Sequence, residues 1–278
     1  MSRSQLALLR AYGIRPLKRR GQNFLVDANL AHAIAADVLT IGREVLELGA
    51  GAGALTAPLL EAGARVTAVE IDRDLCRLLQ GEFGGDPRLD LQQEDLTRLD
   101  WTRLLAQAGD RPVVAGNLPY LLTSKVLFAL ADHQQRVAGA VVMVQKEVAD
   151  RLVASPGGRD YGVLAVILGS LFHVEISRTV PPSVFWPRPD VSSAVVRMSP
   201  AEAWPHAERK HFQTLVKTCF EQRRKQMATQ LRDRFALDEG EIAALAAAVD
   251  FDPQARPEAL PRATWRRLAR ALPPEGDA

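Results

Sequence analysis

Between about residue 43 and residue 197, short apolar runs alternate with stretches of helical periodicity. Residues 44–48 (Glu-Val-Leu-Glu-Leu) read as a strand, and after a cluster of glycines residues 55–62 read as a helix. The β-branched run 65–71 and the runs 89–93, 112–115 and 140–144 predict further strands, while 75–80, 124–132 and 146–154 predict helices. Strands and helices in this alternation predict βαβ units and a largely parallel sheet. Residues 172–180 and 193–198 are strand-like and close together, which predicts an antiparallel hairpin at the edge of that sheet. From residue 200 the pattern becomes helical. Apolar residues recur three and four apart across 207–235, followed by helices at 241–249 and 263–271 with prolines between the pieces. The expected organisation is an N-terminal arm (1–27), an α/β domain (28–199) and a small α-helical domain (200–278).

An apolar content of 47% over 278 residues excludes wholesale disorder. Apolar runs such as 141–144 and 163–168 are far shorter than the ~20 residues of a membrane span. The N-terminus carries no unbroken apolar stretch of the secretory kind. Cys76 and Cys219 are too few for a disulfide framework and lack metal-ligand spacing, as do the five histidines, so no metal is expected. The expectation is a cytoplasmic protein with no membrane association.

The net charge of +2 conceals an uneven distribution. From Met1 to Val26 there are Arg3, Arg10, Arg15, Lys18, Arg19 and Arg20 and no acid. A second basic excess between Glu208 and Arg234 includes Arg223, Arg224 and Lys225. Basic excess at two places suggests a polyanionic partner; a solvated helix face is the plainer reading of the second.

Directly after the first strand stands Gly49-Ala50-Gly51-Ala52-Gly53, and a helix follows. Glycines at the carboxyl end of a central strand let backbone approach a ligand closely. Glu70 ends the next strand, where an acid can accept from both ribose hydroxyls of an adenosine. Gly49, Gly51 and Ala54 can be read as a dinucleotide fingerprint, so NAD is one reading. The compact Gly-x-Gly-x-Gly, with Glu47 just before it, favours S-adenosyl-L-methionine as the other. Asp95, at the end of the third strand, can accept from an adenine amine or act as a turn acid.

Asn117-Leu118-Pro119-Tyr120 ends the fourth strand of the parallel series. These residue types suit an exocyclic amine on a planar ring. Such an amine is a poor nucleophile because its lone pair is delocalised. The Asn117 side-chain oxygen can accept one N–H and the Leu118 carbonyl the other, with Pro119 restricting Leu118 to an extended shape. Tyr120 offers a face for the ring, and proximity carries most of the rate. A base must be unpaired or extruded to reach such a pocket. Phe185, beside Pro187 and Pro189, is either a rigidly held aromatic platform or a packed core residue.

Asn117–Tyr120 resembles the catalytic motif of the rRNA adenine N6,N6-dimethyltransferases. Gly21-Gln22-Asn23-Phe24-Leu25 is similar to that family's N-terminal motif, and Phe185-Trp186-Pro187-Arg188-Pro189-Asp190-Val191-Ser192-Ser193 to its F-x-P-x-P-x-V-x-S motif. The resemblance is nearest to the bacterial small-subunit members and covers nearly the whole chain. It implies a Rossmann-like class I methyltransferase domain with a seven-stranded, mostly parallel sheet and a helical C-terminal domain. It further implies that Asn23, Leu25, Gly49, Gly51, Glu70, Asp95 and Asn117 hold S-adenosyl-L-methionine. Asn117, Leu118, Pro119 and Tyr120 would form the catalytic turn, and Phe185 would stack on the opposite face of the target adenine. Arg223, Arg224 and Lys225 would contact RNA. The implied substrate is a pair of adjacent adenines in a hairpin near the 3′ end of 16S rRNA, within a 30S small-subunit assembly intermediate, and the implied state is a monomer. Ala50 and Ala52 stand where relatives often carry other residues.

Competing readings are a large-subunit rRNA adenine methyltransferase of the macrolide-resistance type and a mainly non-catalytic assembly factor. A DNA adenine methyltransferase and an NAD oxidoreductase are more distant.

Overall fold

The computed structural model describes residues 4–16 and 22–273. Arg3, Lys18, Arg19, Arg20 and Gly21, named above, lie outside them. In chain order the helices are α1 (Gln5–Ala11), α2 (Ala28–Leu39), α3 (Thr56–Glu61), α4 (Arg73–Phe83), α5 (Trp101–Ala108), α6 (Thr123–Asp132), α7 (Lys146–Val153), α8 (Val163–Leu171), α9 (His206–Glu221), α10 (Met227–Phe235), α11 (Glu239–Val249) and α12 (Arg262–Ala271). The strands are β1 (Phe24–Leu25), β2 (Glu44–Leu48), β3 (Arg65–Glu70), β4 (Leu89–Gln93), β5 (Val113–Asn117), β6 (Gly139–Gln145), β7 (Phe172–Val180), β8 (Phe185–Trp186) and β9 (Ser193–Pro200).

Seven strands form one sheet in the order β4-β3-β2-β5-β6-β9-β7. The pairs β3·β4, β2·β3, β2·β5 and β5·β6 are parallel, and β9 enters antiparallel to β6. In β2, β5 and β6 nearly every side chain is buried. Continuous apolar strands of this kind are what a sheet covered on both faces requires. Gly116 permits the closest approach of β5 to β2: a Cβ there would stand 2.4 Å from the Leu48 carbonyl oxygen. The strand order reverses between β2 and β5, the point at which open α/β sheets bind ligands.

The chain forms two compact units, Met1–Ala149 with Glu175–Pro200, and Asp150–Val174 with Ala201–Ala278. The break at 200 was expected; the assignment of 150–174 to the helical unit was not. Its reason is visible in the second unit's own contacts. α8 is apolar and buried almost throughout. Tyr161 donates its hydroxyl to the Leu260 carbonyl at 2.9 Å, and Arg262 donates to the Ala154 carbonyl at 3.0 Å.

The expected helix at 207–235 is two helices, α9 and α10. The Met227 and Ala228 N–H groups donate to the Ala255 and Pro253 carbonyls, both at 2.8 Å, instead of continuing the helical ladder. Apolar periodicity does not record that exchange of partners. No helix among the described residues is long and apolar enough to cross a membrane.

Candidate active site

A cavity of about 250 Å³ opens at the carboxyl ends of β2, β3 and β5. Its floor is the glycine loop after β2. Gly49 and Gly51 both have positive φ (+73° and +59°), a conformation that costs an L side chain about 1–2 kcal/mol. Gly51 is also roofed by Phe24, whose ring would lie 3.5 Å from an added Cβ. Glu70 ties the loop to the end of β3. Its Oε2 accepts from the Gly51 N–H at 2.8 Å, and its Oε1 accepts from Ile71 and Asp72 at 2.9 and 3.0 Å. A carboxylate offers four lone pairs, so acceptor capacity remains on Oε2. Burial raises the Glu70 pKa despite those three N–H groups.

Asn117 closes β5 and also lines the cavity. Its Nδ2 donates to the Asn23 carbonyl at 2.9 Å, which fixes the amide orientation. The Oδ1 is left as an acceptor with no partner among the described residues. The Leu118 N–H donates to the Met143 carbonyl at 3.1 Å, and no described residue donates to the Leu118 carbonyl. Pro119 leads into a 3-10 turn, Tyr120–Leu122. The Tyr120 hydroxyl is 2.9 Å from Ser193 Oγ, so two separated motifs are joined by one hydrogen bond. Burial raises the Tyr120 pKa, and the phenol stays neutral at physiological pH.

A two-stranded antiparallel ribbon forms one wall, with Phe24 opposite Trp186 and Leu25 opposite Phe185. Directly opposite residues share a face. Leu25 and Phe185 belong to the core cluster together with Ala31, Ile34 and Val180. Phe185, expected to stack on the target base, is 4% exposed and is not part of the cavity wall.

Among the described residues the cavity is lined by three carboxyl groups, Glu47, Glu70 and Asp95, and by no lysine or arginine. Glu47 is buried at the end of β2, where its Oε2 accepts from Thr56 Oγ1 at 2.6 Å. Burial lifts its pKa to about 8. Asp95 accepts from the Thr97 N–H at 2.7 Å, which holds its pKa down. A nucleoside carrying a sulfonium finds acidic groups of opposite sign in this wall. The Gln5 Oε1 is enclosed on the cavity wall with no partner, an acceptor awaiting a donor. The residues present therefore fit S-adenosyl-L-methionine. Sequence reasoning missed Gln5 because nothing in its immediate neighbours marks the short helix α1 as part of the site.

The basic trio lies in the turn between α9 and α10, not on a helix face. Arg223 pairs with Glu258 and donates to the carbonyls of Arg159 and Tyr161 at 3.1 and 3.2 Å. Lys225 Nζ is 3.1 Å from Asp233 Oδ2. Arg224 is exposed and has no ion pair among the described residues. Cys76 and Cys219 are buried, and no described residues form a metal-binding cluster.

Comparison with known proteins agrees with this geometry. The family model described as ribosomal RNA adenine dimethylase matches residues 16–267. The "ribosomal RNA small subunit methyltransferase A" of Anaeromyxobacter sp. (strain K) is 44% identical over 97% of this chain and 98% of its own. That of Pseudomonas aeruginosa is 39% identical over 94% and 96%. A dimethyladenosine transferase from Plasmodium falciparum, at 21% identity, shares the fold with a TM-score of 0.69 over 85% of this chain and 93% of its own. The 23S rRNA methyltransferase ErmE has a TM-score of 0.67 at 25% identity over 90% and 99%. Fold and cavity together define a Rossmann-like class I methyltransferase that uses S-adenosyl-L-methionine. The chain belongs to the ribosomal RNA adenine dimethylase family.

Proposed function

We propose that this chain dimethylates the exocyclic N6 of two adjacent adenines in a hairpin near the 3′ end of 16S rRNA, acting as a cytoplasmic monomer on a 30S assembly intermediate. The observation that carries the reading is the Asn117 amide, turned by Asn23 so that its oxygen is free beside the free Leu118 carbonyl. Two acceptors at that point match the two N–H groups of one adenine amine.

Asn23, Leu25, Gly49, Gly51, Glu70 and Asp95 hold the donor, with Glu70 on the ribose and Asp95 on the adenine amine. When bound, S-adenosyl-L-methionine supplies an electrophilic methyl. Asn117 Oδ1 and the Leu118 carbonyl draw the target amine towards a pyramidal shape and localise its lone pair. Pro119 keeps Leu118 extended. Tyr120, held by Ser193, presents its ring to the base. No strong base is required, because the methylated ammonium loses its proton readily. Tyr120 is a neutral phenol and Glu47 carries its proton at neutral pH, so neither competes for that role. Orientation supplies most of the rate. Arg224 is the member of the basic turn available for a phosphate.

The test is incubation with unmodified small subunits and labelled methyl donor. Dimethyladenosine in small-subunit rRNA supports the reading. Label confined to large-subunit rRNA would favour the macrolide-resistance type, and no label in any assembly state would favour a non-catalytic factor.

A further inference from the structure

Large hydrophobic side chains left in solvent gather around the cavity. Leu121 (81% exposed), Ile71 (41%), Trp186 (40%) and Val191 (46%) are four of the five most exposed; the fifth is Val153 in α7. Ile71 and Leu121 line the cavity. Trp186 sits opposite Phe24, a wall residue, and so shares its face of the ribbon. Val191 is two residues from Ser193, the partner of Tyr120. Scattered exposed apolar residues need no explanation, but two that line a site, with an exposed indole on the face of a wall residue, do. Arg188, exposed and without an ion pair among the described residues, follows Trp186 by two positions.

We propose that these residues form a stacking platform for unpaired nucleobases flanking the target adenine, with Trp186 as its aromatic face, Leu121 as the apolar lip and Arg188 as the adjacent phosphate contact. The proposal rests on the RNA-adenine reading above. An extruded adenine leaves its neighbours unstacked, and an indole face recovers stacking without reading sequence. A cation beside an aromatic is the combination that single-stranded nucleic acid selects, since each nucleotide presents one flat base and one phosphate. A purely apolar partner would leave Arg188 without a role.

Trp204 and Trp265 are fully buried and Trp101 half-buried, so acrylamide quenching reports chiefly on Trp186. Trp186→Phe supplies the background. The probe is an RNA fragment carrying an unmodified hairpin with two adjacent adenines in its loop. Shielding of Trp186 is expected when the fragment binds. Trp186→Ala should weaken binding about tenfold, from the roughly 1–3 kcal/mol of one base–aromatic stack. Trp186→Phe should retain most of the affinity, and Leu121→Ala should lose part of it. Arg188→Ala should lower the salt slope of binding by about one. Donor affinity by calorimetry should be unchanged in Trp186→Ala, Trp186→Phe and Arg188→Ala. Unchanged quenching together with parental affinity in Trp186→Ala would overturn the platform, as would self-association of the parent that Leu121→Ala abolishes. Absence of methyl transfer to small-subunit rRNA by the parent protein would overturn the function instead, and so is distinguishable.

Discussion

Glu47 is a strongly perturbed acid in the cavity, and replacing it with glutamine should make the protein more stable. Glu47 is 2% exposed, and Thr56 supplies its hydrogen bonds, with the Oγ1 hydroxyl 2.6 Å from Oε2. Burial moves its pKa from an ordinary 4.5 to about 8. Between those two values the unfolded chain has released this proton and the folded chain has kept it. The folded state therefore binds more protons, and stability falls as pH rises through the window. The contribution is fully present below about pH 4.5 and lost by about pH 8. One group costs about 1.36 kcal/mol per pH unit, or roughly 3 kcal/mol between about pH 5 and about pH 8. Glu47→Gln keeps an acceptor for Thr56 and removes the titration. Urea unfolding of donor-free protein across this range should show a gap that widens with pH, reaching about 3 kcal/mol in favour of the variant. A variant less stable than the parent at pH 8, with the same pH slope, would refute the reasoning.

Tyr120→Ala should largely remove turnover while donor affinity, measured by calorimetry, stays close to parental, and Asn117→Ala should remove turnover and weaken the donor as well; full activity in both would refute their assignment. Ser193→Ala should lower kcat by releasing the Tyr120 ring, with donor affinity unchanged and Ser193→Thr restoring part of the rate in a single-turnover assay. Arg223→Ala should destabilise the helical unit by about 1–2 kcal/mol in thermal unfolding, because two carbonyls lose a charged donor in a partly exposed setting. Arg224→Ala should leave stability intact and reduce the salt dependence of RNA binding.

The parallel sheet was legible because its strands are continuous apolar runs separated by helices, and the βαβ logic leaves few ways to arrange them. The glycine loop at the point where the strand order reverses was legible because Gly49, Gly51 and Glu70 stand at the ends of adjacent parallel strands. Other features depend on tertiary partners that no local pattern encodes. Phe185 lies in the core, on a ribbon of four residues that is too short to show alternation. Arg223 is a structural tie because Glu258, 35 residues away, reaches it. The break between α9 and α10 exists because the 253–255 backbone takes the helical donors of Met227 and Ala228. Residues 150–174 join the helical unit because α8 is apolar all round, a property shared by a buried strand and a buried helix alike.

The central claim is that one cavity both holds the donor and presents two backbone-anchored acceptors to an adenine amine. A crystal structure of the protein with S-adenosyl-L-methionine and adenosine tests it most directly. The account predicts the donor methyl facing N6, with Asn117 Oδ1 and the Leu118 carbonyl each within hydrogen-bonding distance of that nitrogen. A methyl directed away from the Asn117–Tyr120 turn, with no room there for a purine, would contradict it.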